Sequence, residues 1–373
     1  MIYLDYSATT PVNEEVINSY SEACKKFIGN PNSLHRLGLE AKKIIDASTK
    51  QIASLLGVKE NEIIYTSGSS ESNNTVIKGV AYKYKNRGNK IITTELEHSS
   101  IIAPLNYLSN EGFEVEFVKL DENGQVDLEN LKELLDDKTI LVTIASVSSE
   151  VGVSQPIEEI AKIVKEYPKC FFHTDMTQSI GKERISLENV DFASFSAQKF
   201  FGMKGIGGLI KKEKIVIEPL IHGGKSTTIY RSGTPALPLI VSTAKAMRLA
   251  YDDFDNKIKH IKEINKYLLD KLSNLDVHIN SNELCIPQIV NFSLHNIKSE
   301  VMLHALEEDD IFISTQTACA TASYSKAIYA LTKDKDLASN SMRVSISYLT
   351  TKEEIDKLIE SLSKNIKKLG NLK

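Results

Sequence analysis

The chain has 373 residues, 42% hydrophobic and 25% charged, with a formal net charge of −4 at pH 7. That length exceeds a single core, so one large and one smaller domain are expected. The slight acidity leaves no electrostatic case for nucleic acid or an anionic membrane.

In chain order, the opening Met1–Tyr6 lacks the basic and apolar regions of a signal peptide, and no later stretch approaches the ~18 apolar residues of a membrane span. Short β-rich runs follow at 62–66, 90–94, 114–118, 140–145, 170–174, 192–195 and 206–210. Amphipathic stretches separate them, for example 101–110, 128–135 and 157–167. This alternation predicts an α/β fold with a mostly parallel seven-stranded sheet covered by helices. Ligands of such sheets bind beyond the carboxyl ends of the strands. Ser67–Ser70, Glu97 with His98, Ser149 with Glu150, Asp175 and Lys199 each follow a candidate strand.

A helical pattern over about 237–275 carries the chain out of this unit. Beyond it come a strand at 288–293, a helix at 300–307, the apolar run 311–313, a polar loop, a strand at 342–346 and a helix opening at Thr350 or Thr351. We therefore expect a large α/β domain over 13–255. Residues 1–12 and 256–373 would form a smaller α+β domain, with the N-terminal segment packed on it or across the mouth of the site. The four cysteines, Cys24, Cys170, Cys285 and Cys319, are widely spaced with no CxxC pair. That argues against a zinc or disulfide framework and suits a reducing cytoplasm.

Asp175 and Lys199 are the most informative pair: an acid at the end of one strand and a lysine after the next. A pyridoxal 5′-phosphate (PLP) site needs both, the amine to hold the cofactor as a Schiff base and the carboxylate to keep its ring nitrogen protonated. A lysine after a strand is ordinarily a solvated surface residue; the other pieces of a site are what argue otherwise. Ser67–Ser72, glycine with small hydroxyl residues before a helical run, suits a phosphate cradle as well as plain N-capping. His98 suits ring stacking and proton movement, or capping. Cys319 lies in a run of small polar residues, 314–323, where a thiol is poised for exposure and chemistry. Arg343 offers a fork for a carboxylate, or for a structural ion pair. The segments around His222–Gly224 and Arg231–Thr234 bracket a loop that could supply further phosphate donors.

Taken in order, these residues resemble the cysteine desulfurases of the class-V aminotransferase group, over almost the whole chain. The motifs are LDYSATTP ending at Pro11, SG-x-x-ESNN at Ser67–Asn74, Glu97-His98, H-x-D-x-x-Q at His173–Gln178, RSGT at Arg231–Thr234, and Ala318-Cys319. The stretch between Cys319 and Arg343 is similar to the subgroup with a long cysteine loop. The resemblance implies a PLP-transferase fold of type I, a homodimer, and conversion of L-cysteine to L-alanine. Sulfur would pass to Cys319 as a persulfide and then to an acceptor protein for iron–sulfur cluster assembly or thiolation. It further implies that Lys199 binds the cofactor, Asp175 pairs with its ring nitrogen and Gln178 reaches its phenolic oxygen. Ser69, Ser70, Ser196 and, from the neighbouring subunit, Thr234 would hold its phosphate. His98 would stack on the ring and move protons, and Arg343 would take the substrate carboxylate.

Three departures cluster at the cofactor and substrate. Gln198 stands where the family has a histidine that donates to the phosphate; an amide still donates but carries no charge. Ser149 stands in place of an amide that touches the ring oxygen and substrate, and Thr227–Ile229 replaces a Glu-Arg-Gly run. They leave two alternatives open: a PLP-dependent lyase on selenocysteine or another β-substituted amino acid, and a partner-binding paralogue of low activity.

Overall fold

The structure is a computed structural model that describes residues 1–315 and 324–370. Strand β1 (Ile2–Tyr3) precedes helices α1 (Glu14–Lys26) and α2 (Arg36–Leu56), for which the hydrophobic pattern gave no expectation. Asn13 caps α1 by accepting from the Glu15 amide, and Gly57, at φ 65°, ends α2 in the left-handed conformation. The central unit then alternates: β2 (Ile63–Thr66), α3 (Ser69–Tyr84), β3 (Lys90–Thr93), α4 (Ser99–Asn110), β4 (Glu114–Phe117), α5 (Leu128–Leu134) and β5 (Thr139–Thr143). It continues through α6 (Ile157–Lys165), β6 (Phe171–Asp175), β7 (Phe192–Ser196) and β8 (Gly207–Lys211).

These strands form one seven-stranded sheet in the order β2-β8-β7-β6-β5-β3-β4. The pairs from β4 through to β7 are parallel, while β8 runs antiparallel to both β7 and β2. The expected mostly parallel sheet is therefore present, and its strand limits fall within two residues of the sequence reading. Strands β5 and β7 are buried along their whole length because helices cover both faces. The carboxyl ends of β2, β3, β5, β6 and β7 share one edge of the sheet, and the loops that leave them carry the candidate residues.

The helical pattern after 237 is two helices, α7 (Leu237–Tyr251) and α8 (Phe254–Leu272). They break at Asp252 and Asp253, the latter at φ 51°, a conformation that a continuous helix cannot contain. Next come β9 (Val277–Ile279), β10 (Ile289–Leu294), α9 (Ser299–Glu307) and β11 (Ile311–Phe312). Part of the expected polar loop is helical, as α10 (Lys326–Thr332) and α11 (Lys335–Ser339), before β12 (Ser341–Ser345) and α12 (Lys352–Gly370). Antiparallel strands β12-β10-β9 make a second sheet, and β1 pairs in parallel with β11.

Two large apolar clusters result. One is built from α1, α2, α6 and α7 against the large sheet. The other joins Ile2 and Leu4 to α8, α9, α12 and the second sheet. The N-terminal strand thus packs with the later half of the chain. Among the described residues no helix is long and apolar enough to cross a membrane.

Gly207 opens β8 where it faces Ser196 and Thr66, and a Cβ there would lie 2.2 Å from the Phe195 carbonyl oxygen and 2.7 Å from Gly68 Cα. Gly57 has open space around it and only its φ to satisfy. Gly207→Ala should therefore lose about 2–3 kcal/mol in urea unfolding. Gly57→Ala should lose about 1 kcal/mol. Equal losses would contradict this account of the sheet edge.

Candidate active site

A cavity of ≈ 310 Å³ opens at the carboxyl edge of the large sheet. Ser69, Ser70, His98, Ser149, Asp175, Gln178, Ser196, Gln198, Lys199 and Arg343, all singled out from sequence, line it together with Ser7 and Ala8. Thr234 is exposed and does not line it. Cys319 lies outside the described residues.

One end of the cavity is an anion cradle. Gly68, at φ 156°, turns the chain from β2 into α3, and a Cβ there would lie 3.2 Å from Ser196 Oγ. The first amides of α3 have no partner within the helix and face an end of positive dipole. Ser69 N–H donates to Ser196 Oγ at 2.7 Å, and Ser196 Oγ–H donates to Ser69 Oγ at 3.0 Å. Glu71 braces the turn, accepting from the Ser67 amide at 2.7 Å and from Arg231 Nε at 2.9 Å. The RSGT segment is thereby tied to the cradle from outside.

Asp175 ends β6 with 6% of its surface exposed. Its Oδ1 accepts from the Thr177 amide at 2.9 Å and its Oδ2 from Asn73 Nδ2 at 2.8 Å. Asn73 also donates to Ser100 Oγ at 2.9 Å, and that hydroxyl lies 2.8 Å from His98 Nδ1. His98 caps α4, its Nδ1 accepting from the Ser100 amide at 3.1 Å. The neutral ring therefore carries its proton on Nε2. Burial moves its pKa down, so the neutral form prevails.

Glu97, beside it, is enclosed, and burial raises its carboxyl to about 8. It accepts from the Ala145 amide at 2.9 and 3.1 Å and from Thr94 Oγ1 at 2.9 Å. The turn that carries His98 is thus fastened to the end of β5.

Lys199 follows β7 in a single tight turn, and its Nζ donates to the carbonyls of Ser7 and Ala8, each at 2.7 Å. Gln178 donates from Nε2 to the same Ser7 carbonyl at 2.9 Å. Arg343, 2% exposed in β12, donates from Nη1 to the Ser149 carbonyl at 2.7 Å. Its Nη2 pairs with Asp5 Oδ1 at 2.8 Å. Ser314 bridges Arg343 through two backbone hydrogen bonds, of 2.7 and 3.1 Å, and Ser325 Oγ donates to Glu150 Oε2. Both contacts are made to or beside residues that line the cavity, Arg343 and Ser149.

These donors fit PLP. A cradle of amides and hydroxyls matches a phosphate, a withdrawn carboxylate matches a ring N–H, and an amine lines the same cavity. Thr177 Oγ1, buried in the cavity wall, has no hydrogen-bond partner within the described structure, so a ligand group can be accommodated there. Of the residues that build the site, Asn73 and Arg231 lie in recognised motifs without having been assigned a role. Asp5 acts through its ion pair with Arg343, Glu97 through the Ala145 amide and Ser100 through Asn73 and His98, contacts that spacing does not reveal.

The family profile "Aminotransferase class-V" matches residues 2–358. A protein named cysteine desulfurase IscS, from Dictyoglomus turgidum, is 37% identical over 380 residues, covering 100% of this chain and 96% of its own length. A NifS/IcsS protein homolog from Lactobacillus delbrueckii subsp. bulgaricus is 41% identical over 370 residues, with 96% and 95% covered. Among solved structures, a NifS-like protein superposes with a TM-score of 0.93 at 35% identity, over 98% of this chain and 99% of its own. Another, described as SspA in complex with cysteine, gives a TM-score of 0.82 at 28% identity, over 94% and 100%.

Beneath the cavity, His173 is enclosed in the sheet, Nδ1 2.8 Å from Thr143 Oγ1 and Nε2 2.9 Å from Ser194 Oγ. Burial pulls its pKa down to about 4. The unfolded chain protonates this ring near pH 6.5 while the native state resists. The stability it contributes is complete above that pH and is lost as pH falls toward 4. From pH 7.5 to 5 the loss should be about 2 kcal/mol in urea unfolding, and His173→Gln should remove that part of the slope. An unchanged slope in the variant would show that His173 is charged in the native sheet.

Proposed function

The chain belongs to the class-V aminotransferase family, and from that premise we propose that it is a PLP-dependent cysteine desulfurase with a fold-type-I scaffold. L-cysteine is converted to L-alanine, and the sulfur passes to Cys319 as a persulfide. The observation that carries this reading is the convergence of Lys199, Asp175, His98, Arg343 and the Ser69–Ser196 cradle on one cavity.

When bound, PLP supplies an aldehyde carbon that takes up an amine and a protonated ring that draws electrons from the neighbouring bonds. Ser69, Ser70, Ser196 and the amides at the start of α3 hold its phosphate, with the Gln198 amide as a further donor. Asp175, already fixed by Asn73 and Thr177, holds a proton on the ring nitrogen. The Lys199 amine is the covalent anchor and, once released, the base that carries a proton to and from the substrate α-carbon. His98, neutral with its proton on Nε2, covers the ring face and can give that proton up. Arg343, oriented by Asp5 and the Ser149 carbonyl, binds the substrate carboxylate.

The Cys319 thiolate forms an S–S bond to the substrate sulfur as the C–S bond breaks, and the carbon takes up a proton to become alanine. Substrate and enzyme thiol together supply every atom of the alanine and the persulfide, so no external oxidant is needed. A sulfur-acceptor protein, for iron–sulfur cluster assembly or thiolation, would then remove the terminal sulfur. Exposed Thr234 suits a homodimer in which it completes the phosphate cradle of the neighbouring subunit. The relatives' names do not favour the lyase or low-activity alternatives.

The test is alanine formed from L-cysteine with a thiol reductant. Wild type should form it, whereas Cys319→Ala should retain the yellow of bound PLP and fall by 10²-fold or more. Lys199→Ala should lose both. If PLP-loaded wild type forms no alanine, the desulfurase reading fails. Arg343→Ala should raise KM for L-cysteine by about 10²-fold, the loss of a charge-assisted pair. A normal KM would remove Arg343 from substrate binding.

A further inference from the structure

Behind Gln178 the chain makes two consecutive tight turns, with Ser179 and Ile180 amides donating to the Met176 carbonyl and Lys182 and Glu183 amides to Ser179. Gly181, at φ 71°, reverses the chain between them and brings Lys182 back against Gln178. Lys182 Nζ donates to Gln178 Oε1 at 2.6 Å. Part of the Lys182 side chain reaches solvent, but its ammonium end is enclosed. At the other end of the amide, Gln178 Nε2 donates to the Ser7 carbonyl at 2.9 Å. An ammonium only donates and a backbone carbonyl only accepts. Flipping the amide would set N–H against ammonium and oxygen against oxygen, losing both contacts. The amide of Gln178, 4% exposed and in the cavity wall, thus has one permitted orientation.

This placement runs against electrostatic economy. Burial, with Lys199 and Arg343 nearby, pulls the Lys182 ammonium down to about 7, and only Glu183 acts in the opposite sense. Glu183 itself is held by Ser154 Oγ at 2.9 Å, and burial raises its pKa. A third ammonium beside two other cations destabilises the site.

We propose that Lys182 is a positioning residue that locks the Gln178 amide so that Nε2, a donor, faces the phenolic oxygen of the bound cofactor. The proposal rests on the reading of this cavity as a PLP site, but not on its desulfurase activity. A donor at that oxygen favours its anionic form; an unlocked amide presents an acceptor part of the time and favours it less.

The experiment is a pH titration of the absorption spectrum of the PLP-loaded protein, in wild type, Lys182→Met, Gln178→Leu and the double variant. Lys182→Met should raise the spectral midpoint by about one unit. In the Gln178→Leu background the same change should move it little, because Lys182 acts through the amide. An equal shift in both backgrounds would show that Lys182 acts only as a nearby charge, and no shift in either would show that it does nothing; both overturn the proposal. Lys182→Arg, whose guanidinium also only donates, should hold the midpoint near wild type even if the Met variant misfolds. A midpoint displaced in Lys182→Arg by the full unit would also overturn it. If wild type takes up no PLP, the cofactor reading fails and the proposal with it. If it is yellow but forms no alanine, only the desulfurase reading fails.

Discussion

The two cations that line the site, Lys199 and Arg343, lean on one short stretch of chain, residues 5–10. Asp5 pairs with Arg343, the Ser7 carbonyl accepts from both Lys199 and Gln178, and the Ala8 carbonyl accepts from Lys199. The Thr10 amide and hydroxyl donate to the Gln198 carbonyl, and its Oγ1 accepts from the Phe201 amide. The stretch is anchored at both ends, by β1 on β11 and by α1 on α7. It spans the two apolar clusters, one containing Ala197 and Phe200 beside the lysine and the other Met342 and Val344 beside the arginine. Withdrawn cations need acceptors: backbone carbonyls supply them for Lys199 without a second titrating group, while Arg343 has the Asp5 carboxylate as well as the Ser149 carbonyl. The relative placement of the amine and the guanidinium, which sets where a substrate's reacting carbon and its carboxylate can lie, is therefore carried by a segment with little regular structure of its own.

Burial drives the other half of the site. Asp175 has almost no access to water, so its oxygens must be satisfied by the protein, and the partners chosen chain onward from Asn73 through Ser100 to His98. That chain settles the proton position on His98 without any contact between the imidazole and a carboxylate. Glu97 is the counterpart across the strand ends, where its carboxyl binds the Ala145 amide and replaces a hydrogen bond that water would otherwise make. A parallel sheet brings these residues together because Asp175 is the last residue of its strand and Glu97 and His98 follow the end of theirs, where the ladder stops and backbone groups become available.

This architecture was legible in the sequence to the extent that it depends on period and punctuation. The alternation of β-rich and amphipathic runs located every strand of the large sheet, and motif order located the cavity wall. What stayed hidden is three-dimensional. Asp5 and Arg343 are far apart in sequence, and nothing local in LDYSATTP says that its acid pairs with a guanidinium in β12. Lys182 reads as a surface lysine until its ammonium is seen against Gln178. The break between α7 and α8 falls at two aspartates, where helical periodicity continues across a backbone kink. Helices α10 and α11 are seven and five residues long, too short for a periodic signal.

The two departures at positions 198 and 149 look less disruptive in three dimensions than in sequence, because their fixed contacts are made by backbone. The Gln198 carbonyl receives both donors of Thr10, and the Ser149 carbonyl receives Arg343 Nη1. A change of side chain alters neither. The scaffold that orients Lys199 and Arg343 is thus indifferent to which residue stands there, and the substitutions are free to act on the cavity lining alone. At 198 an uncharged donor replaces one that can carry charge, which bears on phosphate affinity rather than on position. At 149 a shorter side chain leaves more room beside the guanidinium, which bears on the substrate's size. The constraint imposed by the N-terminal segment and the freedom at positions 149 and 198 have the same origin: there the fixed contacts are main-chain carbonyls, so those two side chains can vary without moving Lys199 or Arg343.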